Sequence, residues 1–298
     1  MTGPAAALLS GDRLHLQHGP IDLIIGADGP ARAQAFAAAA ARFDGLLEEL
    51  VAELPLLRAP VTAGLPAPQG PVARRMHRAV RPHADAFITC MAAVAGAVAD
   101  EILAAMTAAA PLSRAYVNNG GDIALHLAAG AGFTSAMAGL DGRDLGRIGI
   151  SAEAGIGGIA TSGAGGRSFS LGIADSVTVL ARTAAEADAA ATMIANAVDL
   201  PRHPGIRRTR ACDLQPDSDL GPRPVVTGVP PLTPGDVARA LDAGAARAQD
   251  LLRRGLIAGA ALFLQGQTRL AGTGFTGLIQ KDEVAHAQGR GAQAAACA

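Results

Sequence analysis

The residues able to do chemistry fall in three short stretches. The first is NNGGD, Asn118 to Asp122, within YVNNGGDIALHL. Asn-Gly between two alternating runs is a strong hairpin signal, because a type I′ turn needs positive φ at both central residues. The same bare positions, Gly120 and Gly121, let a ligand come against the backbone, with N–H groups facing a phosphate or the edge of a planar ring. Asn118 and Asn119 enter with that turn. Asp122 follows it, placed to accept from a ribose hydroxyl or to hold a metal; a solvated turn aspartate is the plainer alternative. The second stretch is GIGGIATSGAGGRS, residues 155–168. Thr161, Ser162, Gly163 and Arg167 there form a glycine-rich loop suited to a diphosphate through amides and a guanidinium fork. Two glycine-rich turns in a crowded sheet would read the same way. GIGGIA fits a dinucleotide-binding pattern on paper, but strand-like residues follow it where that motif demands a helix. The third stretch is EADAAAT, residues 186–192. On a helix Asp188 and Thr192 share a face. They are hard oxygen donors of the kind Mg²⁺ takes, and equally a first-turn aspartate with a threonine packed on a sheet. Asp175 begins the strand leading to this helix.

Other chemistries find little support. There is no G-x-S-x-G elbow for a serine hydrolase. His126, between Leu125 and Leu127 on a strand, is expected to face solvent. Cys90, Cys212 and Cys297 are far apart, without metal-ligand or disulfide spacing.

The elements that must position these residues are strands and helices in alternation. Residues 12–28 read as a strand hairpin, 30–54 as one helix, 54–71 with five prolines as a loop, and 72–80 and 89–109 as helices. From Pro111 onward short strand-like runs succeed one another with tight connections, so neighbours are expected to be antiparallel. RSFSLG is included among these runs. A helix spans 184–198 and loops follow to 224. PVVTGV suits a strand. LTPGD starts a helix with Thr233 as N-cap, and a hairpin covers 258–272. The expected fold is α+β, antiparallel sheet flanked by helices, as a single domain over 1–280 with a disordered tail over 281–298.

The chain has 298 residues, 50% hydrophobic and 17% charged, which supports a sizeable core. Aromatics are 3%, Trp is absent, and the net charge is −1, so neither base stacking nor a basic face recommends nucleic acid. Of 25 basic residues only Lys281 is a lysine. No apolar stretch reads as a membrane span. The nearest, 87–103, contains Asp100 and suits a closely packed helix. A cytoplasmic location is expected.

Taken in order, NNGGDI, GIATSG, the strand DSVTVLA and EADAAAT resemble the ApbE-type flavin transferases. GPIDL at Gly19–Leu23, MAAVAG at Met91–Gly96 and NNGGD resemble an uncharacterised ApbE-like branch. The resemblance spans roughly residues 12–275. It implies an ApbE-like α+β fold, FAD or FMN as cofactor, Mg²⁺, and transfer of FMN from FAD to a Ser or Thr of a protein, with release of AMP. It places Asn118, Asn119, Gly120, Gly121 and Asp122 along the flavin nucleotide, Thr161, Ser162 and Gly163 near the flavin or diphosphate, and Asp188 and Thr192 on the metal. No catalytic residue is assigned. One departure stands out. The transferases carry H-x-x-x-P-x-T-G between the TSG and VTV strands, and here the interval is GAGGRSFSLGIA. A flavin-binding reductase component or carrier, and a non-catalytic binding module, are therefore kept as alternatives. The expected partners are a small-molecule nucleotide or flavin and, for a transferase, a protein acceptor. Nucleic acid and membrane are not expected, and a homo-oligomer is left open.

Overall fold

The computed structural model describes residues 3–139, 142, 144–166 and 168–276. Arg167, Lys281, Cys297 and the expected tail lie outside them. In chain order the strands are β1 (Ala5–Leu9), β2 (Arg13–His18), β3 (Ile21–Asp28), β4 (Arg114–Asn119), β5 (Asp122–Leu127), β6 (Gly132–Ala138), β7 (Asp144–Ser151), β8 (Gly158–Ser162), β9 (Ser176–Ala181), β10 (Arg207–Arg210), β11 (Pro224–Gly228), β12 (Gly259–Leu264), β13 (Gln267–Gly272) and β14 (Phe275–Thr276). Nine of them form one sheet in the order β1-β2-β3-β4-β5-β8-β9-β12-β13. Every neighbouring pair in it is antiparallel, as the short connections required. β14, β7 and β6 form a second sheet, and β10 with β11 a third. The described part of RSFSLG, Ser168–Gly172, is not a strand.

Most helices fall where the patterning put them. The expected helix over 30–54 is two, α1 (Arg32–Phe43) and α2 (Leu46–Ala52), because Gly45 takes a left-handed φ of 74° and breaks it. A short helix α3 (Leu54–Leu57) opens the proline-rich segment. α4 (Pro71–Val80) carries proline in its first turn. A 3₁₀ turn, Cys90–Ala93, leads into α5 (Val94–Ala109). α6 (Ala184–Ala197) and a single turn α7 (Ala211–Leu214) follow. α8 (Pro234–Arg253) starts as expected, with the Thr233 side chain accepting from the Asp236 N–H.

Packing divides the main sheet. One core joins β2–β5 to α1, α2, α4 and α5, and a second joins β9 and β12 to α6 and α8. On the opposite face the small sheet covers β5, β8, β9 and β12 through Met137, Ile148 and Ile150. The halves of the large sheet meet at β5 and β8, which pair only at Ile123↔Ile159 and Ala124↔Gly158. Cys90–Ala109 is apolar and long enough to cross a membrane, with mean hydropathy 1.5. Half of it is buried against neighbours in this fold, and its Asp100 is hydrogen-bonded to α6. His126 does not simply face solvent. It is half-buried, and its Nε2 lies 3.1 Å from the Leu112 carbonyl.

Candidate functional site

The alanine-rich sequence lets α5 and α6 approach to backbone contact. A Cβ on Gly96 would lie 2.3 Å from the Ala184 carbonyl oxygen, so only glycine fits. This answers what the small residues of MAAVAG do at Gly96: another helix comes close. Around that contact the helices cap each other. Asp100 of α5 accepts from the Ala184 and Ala185 N–H groups at 3.0 and 2.9 Å. Asp188 of α6 accepts from the Gly96 N–H at 3.0 Å, with the Ala95 amide also donating to it. Each aspartate thereby satisfies amides left without partners at the start of the other helix. Burial pushes the Asp100 carboxyl up to about 6. Burial also holds Asp188 well above the usual carboxylate range, and the charge of Asp122 pushes it further.

Asp188 is also on the wall of a cavity of about 560 Å³. Met91, Ala92, Val94 and Ala95 at the start of α5 form one side, and Asn119, Gly120 and Asp122 of the hairpin form another. Thr161, Ser162 and Gly163 at the end of β8 line it too. Asp188, Thr192 and Asn196 run down α6 at four-residue spacing, all facing the cavity. A segment containing Gln215, Asp217, Ser218, Asp219 and Leu220 completes it with Arg58 and Phe87. The volume suits a drug-sized or nucleotide-sized ligand.

The hairpin is the expected type I′ arrangement, with φ of 66° at Gly120 and 114° at Gly121. Its two asparagines divide the work. Asn119 is buried and donates to the Ala95 carbonyl at 3.1 Å, tying the turn to α5. The Asn118 side chain instead accepts from the Gly121 N–H at 2.8 Å. Asn118 and Gly121 are therefore spent on the turn and are not on the cavity wall. Asp122 is no solvated turn residue: it accepts from the Thr161 N–H at 3.1 Å, joining the hairpin to β8. The Thr161 hydroxyl meets that of Thr178 at 2.9 Å. Asp175 is engaged elsewhere, accepting from the Gln265 N–H at 2.6 Å, and does not line the cavity.

The family model described as "AbpE bacteria" matches residues 5–270. The chain belongs to this family. The ApbE-like resemblance of the sequence is thus borne out at family level. A UPF0280 protein of Methanopyrus kandleri is 38% identical over 185 residues, covering 59% of this chain and 69% of that protein. Two solved structures are 12% identical with a TM-score of 0.40. They are the apo flavinyl transferase ApbE of Pseudomonas stutzeri, with 91% of this chain and 94% of that one covered, and the flavin transferase ApbE from Vibrio cholerae, with 92% and 100% covered.

In this AbpE-family chain the cavity has parts that no local motif announced. Arg58 pairs with Asp217 at 2.9 Å, and the Thr89 hydroxyl donates to Asp219 at 2.5 Å. Arg223 stacks 3.2 Å above the Phe87 ring. These contacts hold the 215–223 segment against the start of α5. Their signal is long-range pairing, with Thr89 and Asp219 130 residues apart. The described lining residues hold one cationic side chain, Arg58, and the carboxylates of Asp122, Asp188, Asp217 and Asp219, with no histidine.

That donor set suits a divalent cation. Among the described residues no group of three or more His, Cys, Asp or Glu side chains gathers as a complete metal cage. The charge of Asp122 does raise the cost of ionising Asp188 in its buried place, with the Thr192 hydroxyl one turn away. Mg²⁺ characteristically takes one or two carboxylates and keeps the rest of its shell for water and phosphate oxygens.

Proposed function

We propose that this protein binds a flavin dinucleotide in the cavity with Mg²⁺ and transfers FMN from FAD to a hydroxyl of a protein, releasing AMP. The observation that carries the reading is convergence. The hairpin carboxylate Asp122, the β8 end Thr161–Gly163 and the helix pair Asp188–Thr192 come from three separate elements and line one cavity. Family membership points the same way.

Asp188 and Thr192 would hold the cation, with Asp122 across from them. A divalent cation in such a place neutralises diphosphate oxygens and eases departure of the nucleotide. Asn119 fixes the turn to α5, so Gly120 keeps its backbone open to the ligand. The Thr161 amide orients Asp122. With no histidine among the described lining residues, a cavity carboxylate is the available base for the acceptor hydroxyl.

A second reading is a flavin carrier or reductase component that keeps its ligand intact. It is favoured by GAGGRSFSLGIA standing where the transferases carry H-x-x-x-P-x-T-G. A binding module without catalysis is the third. The test is calorimetric titration with FAD, FMN and AMP, each with and without Mg²⁺, followed by an assay for AMP release with an acceptor peptide. Mg²⁺-linked FAD binding with AMP release supports the transferase. Binding of intact flavin without AMP supports the carrier. Absence of binding rejects the flavin reading altogether.

A further inference from the structure

The crossing of α5 and α6 is held by two aspartates, and only Asp188 reaches the cavity. Asp100 faces the other way, onto the first turn of α6. That turn is already capped: the Thr183 side chain accepts from the Glu186 N–H at 3.2 Å. It is also wedged by β8, where a Cβ on Gly158 would lie 2.3 Å from the Ala184 nitrogen. Asp100 adds something these two do not, a bidentate grip on adjacent amides from outside the helix.

We infer that Asp100 is a positioning residue for Asp188, fixing the rotation and axial setting of the turn from which Asp188 projects into the cavity. The inference rests on the proposed function, in which Asp188 meets a divalent cation. The register makes the case. Asp188 follows Ala184 by four residues, one turn, so whatever fixes Ala184 fixes the direction of Asp188. A slip of one residue would swing the carboxylate by about 100° and take it off the cavity wall. One carboxylate oxygen of Asp188 is already committed to the Gly96 N–H. The Ala95 amide also donates to this carboxylate, so the lone pairs left for a cation must be aimed by the helix, since the side chain has little freedom left. Partners of this kind behind a metal ligand are commonly worth about 10–100-fold in metal affinity.

The experiment titrates Mg²⁺ into the FAD-loaded full chain, and FAD into the Mg²⁺-free chain, for wild type, Asp100→Asn and Asp100→Ala. FAD affinity without Mg²⁺ should be the same in all three. The Mg²⁺ dissociation constant should rise about 10–100-fold in Asp100→Ala. It should rise less in Asp100→Asn, which keeps one acceptor oxygen. A folded variant that binds Mg²⁺ as wild type does would overturn the inference and leave Asp100 a stabilising cap. Should neither variant fold, amide hydrogen exchange of the wild type decides. Mg²⁺ should slow the Ala184 and Ala185 amides together with Gly96, and slowing at Gly96 alone would overturn the inference. No Mg²⁺ binding by the wild type would reject the proposed function, and the positioning role with it. Wild-type binding with unaffected variants rejects the positioning role alone.

Discussion

Replacing Gly96 by alanine should destabilise the protein, although alanine is the better helix former. The added Cβ would sit 2.3 Å from the Ala184 oxygen, 2.4 Å from its carbonyl carbon and 2.7 Å from the Ala185 nitrogen, all backbone. No rotamer relieves that contact, so α5 and α6 must part by about an ångström to reach ordinary van der Waals separation. Overpacking of this kind costs about 2 kcal/mol. The separation also stretches the four hydrogen bonds of Asp100 and Asp188, and losing one charged bond adds about 2 kcal/mol. Helix propensity returns about 1 kcal/mol. The net loss is about 3 kcal/mol, or a fall in melting temperature of about 5 °C for a chain of this size. Thermal unfolding followed by circular dichroism measures it. Gly149→Ala is the control: Gly149 has no atom within 4 Å of its virtual Cβ, and this change should stay within about 0.5 kcal/mol. A Gly96→Ala protein that melts at or above the wild type would refute the reciprocal capping and the close crossing together.

Three further outcomes are expected. Asp188→Ala should abolish Mg²⁺-linked FAD binding, read by calorimetry, and should lower stability by about 1–3 kcal/mol because the Gly96 amide loses its acceptor inside the fold. The Asp100 carboxyl lies at about 6 in the folded chain against 3.8 ordinarily, so the folded state holds that proton more tightly. Its contribution is complete below pH 4 and lost as pH rises through 6, by at most about 3 kcal/mol. Urea unfolding from pH 4 to 7 should show that loss in wild type, and Asp100→Asn should flatten part of it, the remainder belonging to Asp188. Cys90 is buried and its thiol is pushed up to about 11, so iodoacetamide at pH 8 should label the half-exposed Cys212 before Cys90 in the native protein. Equal labelling of both, read by mass spectrometry, would contradict the packing at the start of α5.

Local signals carried the sequence reading far. The Asn-Gly turn, the Thr233 cap and the alternation in LHLQH each rest on interactions a few residues apart, and each is where it was expected. Misses came where the deciding contact is distant. Gly45 breaks the first long helix through backbone conformation that Ala/Leu spacing does not report. β1 is strand because β2 offers it a ladder, for AAALL has no alternation of its own. β10 and α7 are short elements in a proline-rich stretch, and the first of them is fixed by pairing with β11. The site was legible in part. Asn119, Gly120, Asp122, the Thr161–Gly163 run, Asp188 and Thr192 do line one cavity. Asn118 and Gly121 sat in the same motif, yet strand alternation and turn geometry turned them away from it. Thr89, Asp219 and Asn196 show no motif because partners 25 to 130 residues off give them their place.

The thin pairing between β5 and β8 leaves the main sheet in two halves, each the floor of most of one core. Residues before that seam carry their own sheet and helices, and so do those after it. Across it run the α5–α6 contact, the Asp122–Thr161 bond, the Arg58–Asp217 and Thr89–Asp219 contacts, and the small sheet, which packs on strands of both halves. The cavity straddles this seam, with Asn119 and Asp122 on one side and Thr161 and Asp188 on the other. A ligand seated there acts as a staple between foldons. With it bound, heat should unfold both halves in one sharper calorimetric transition.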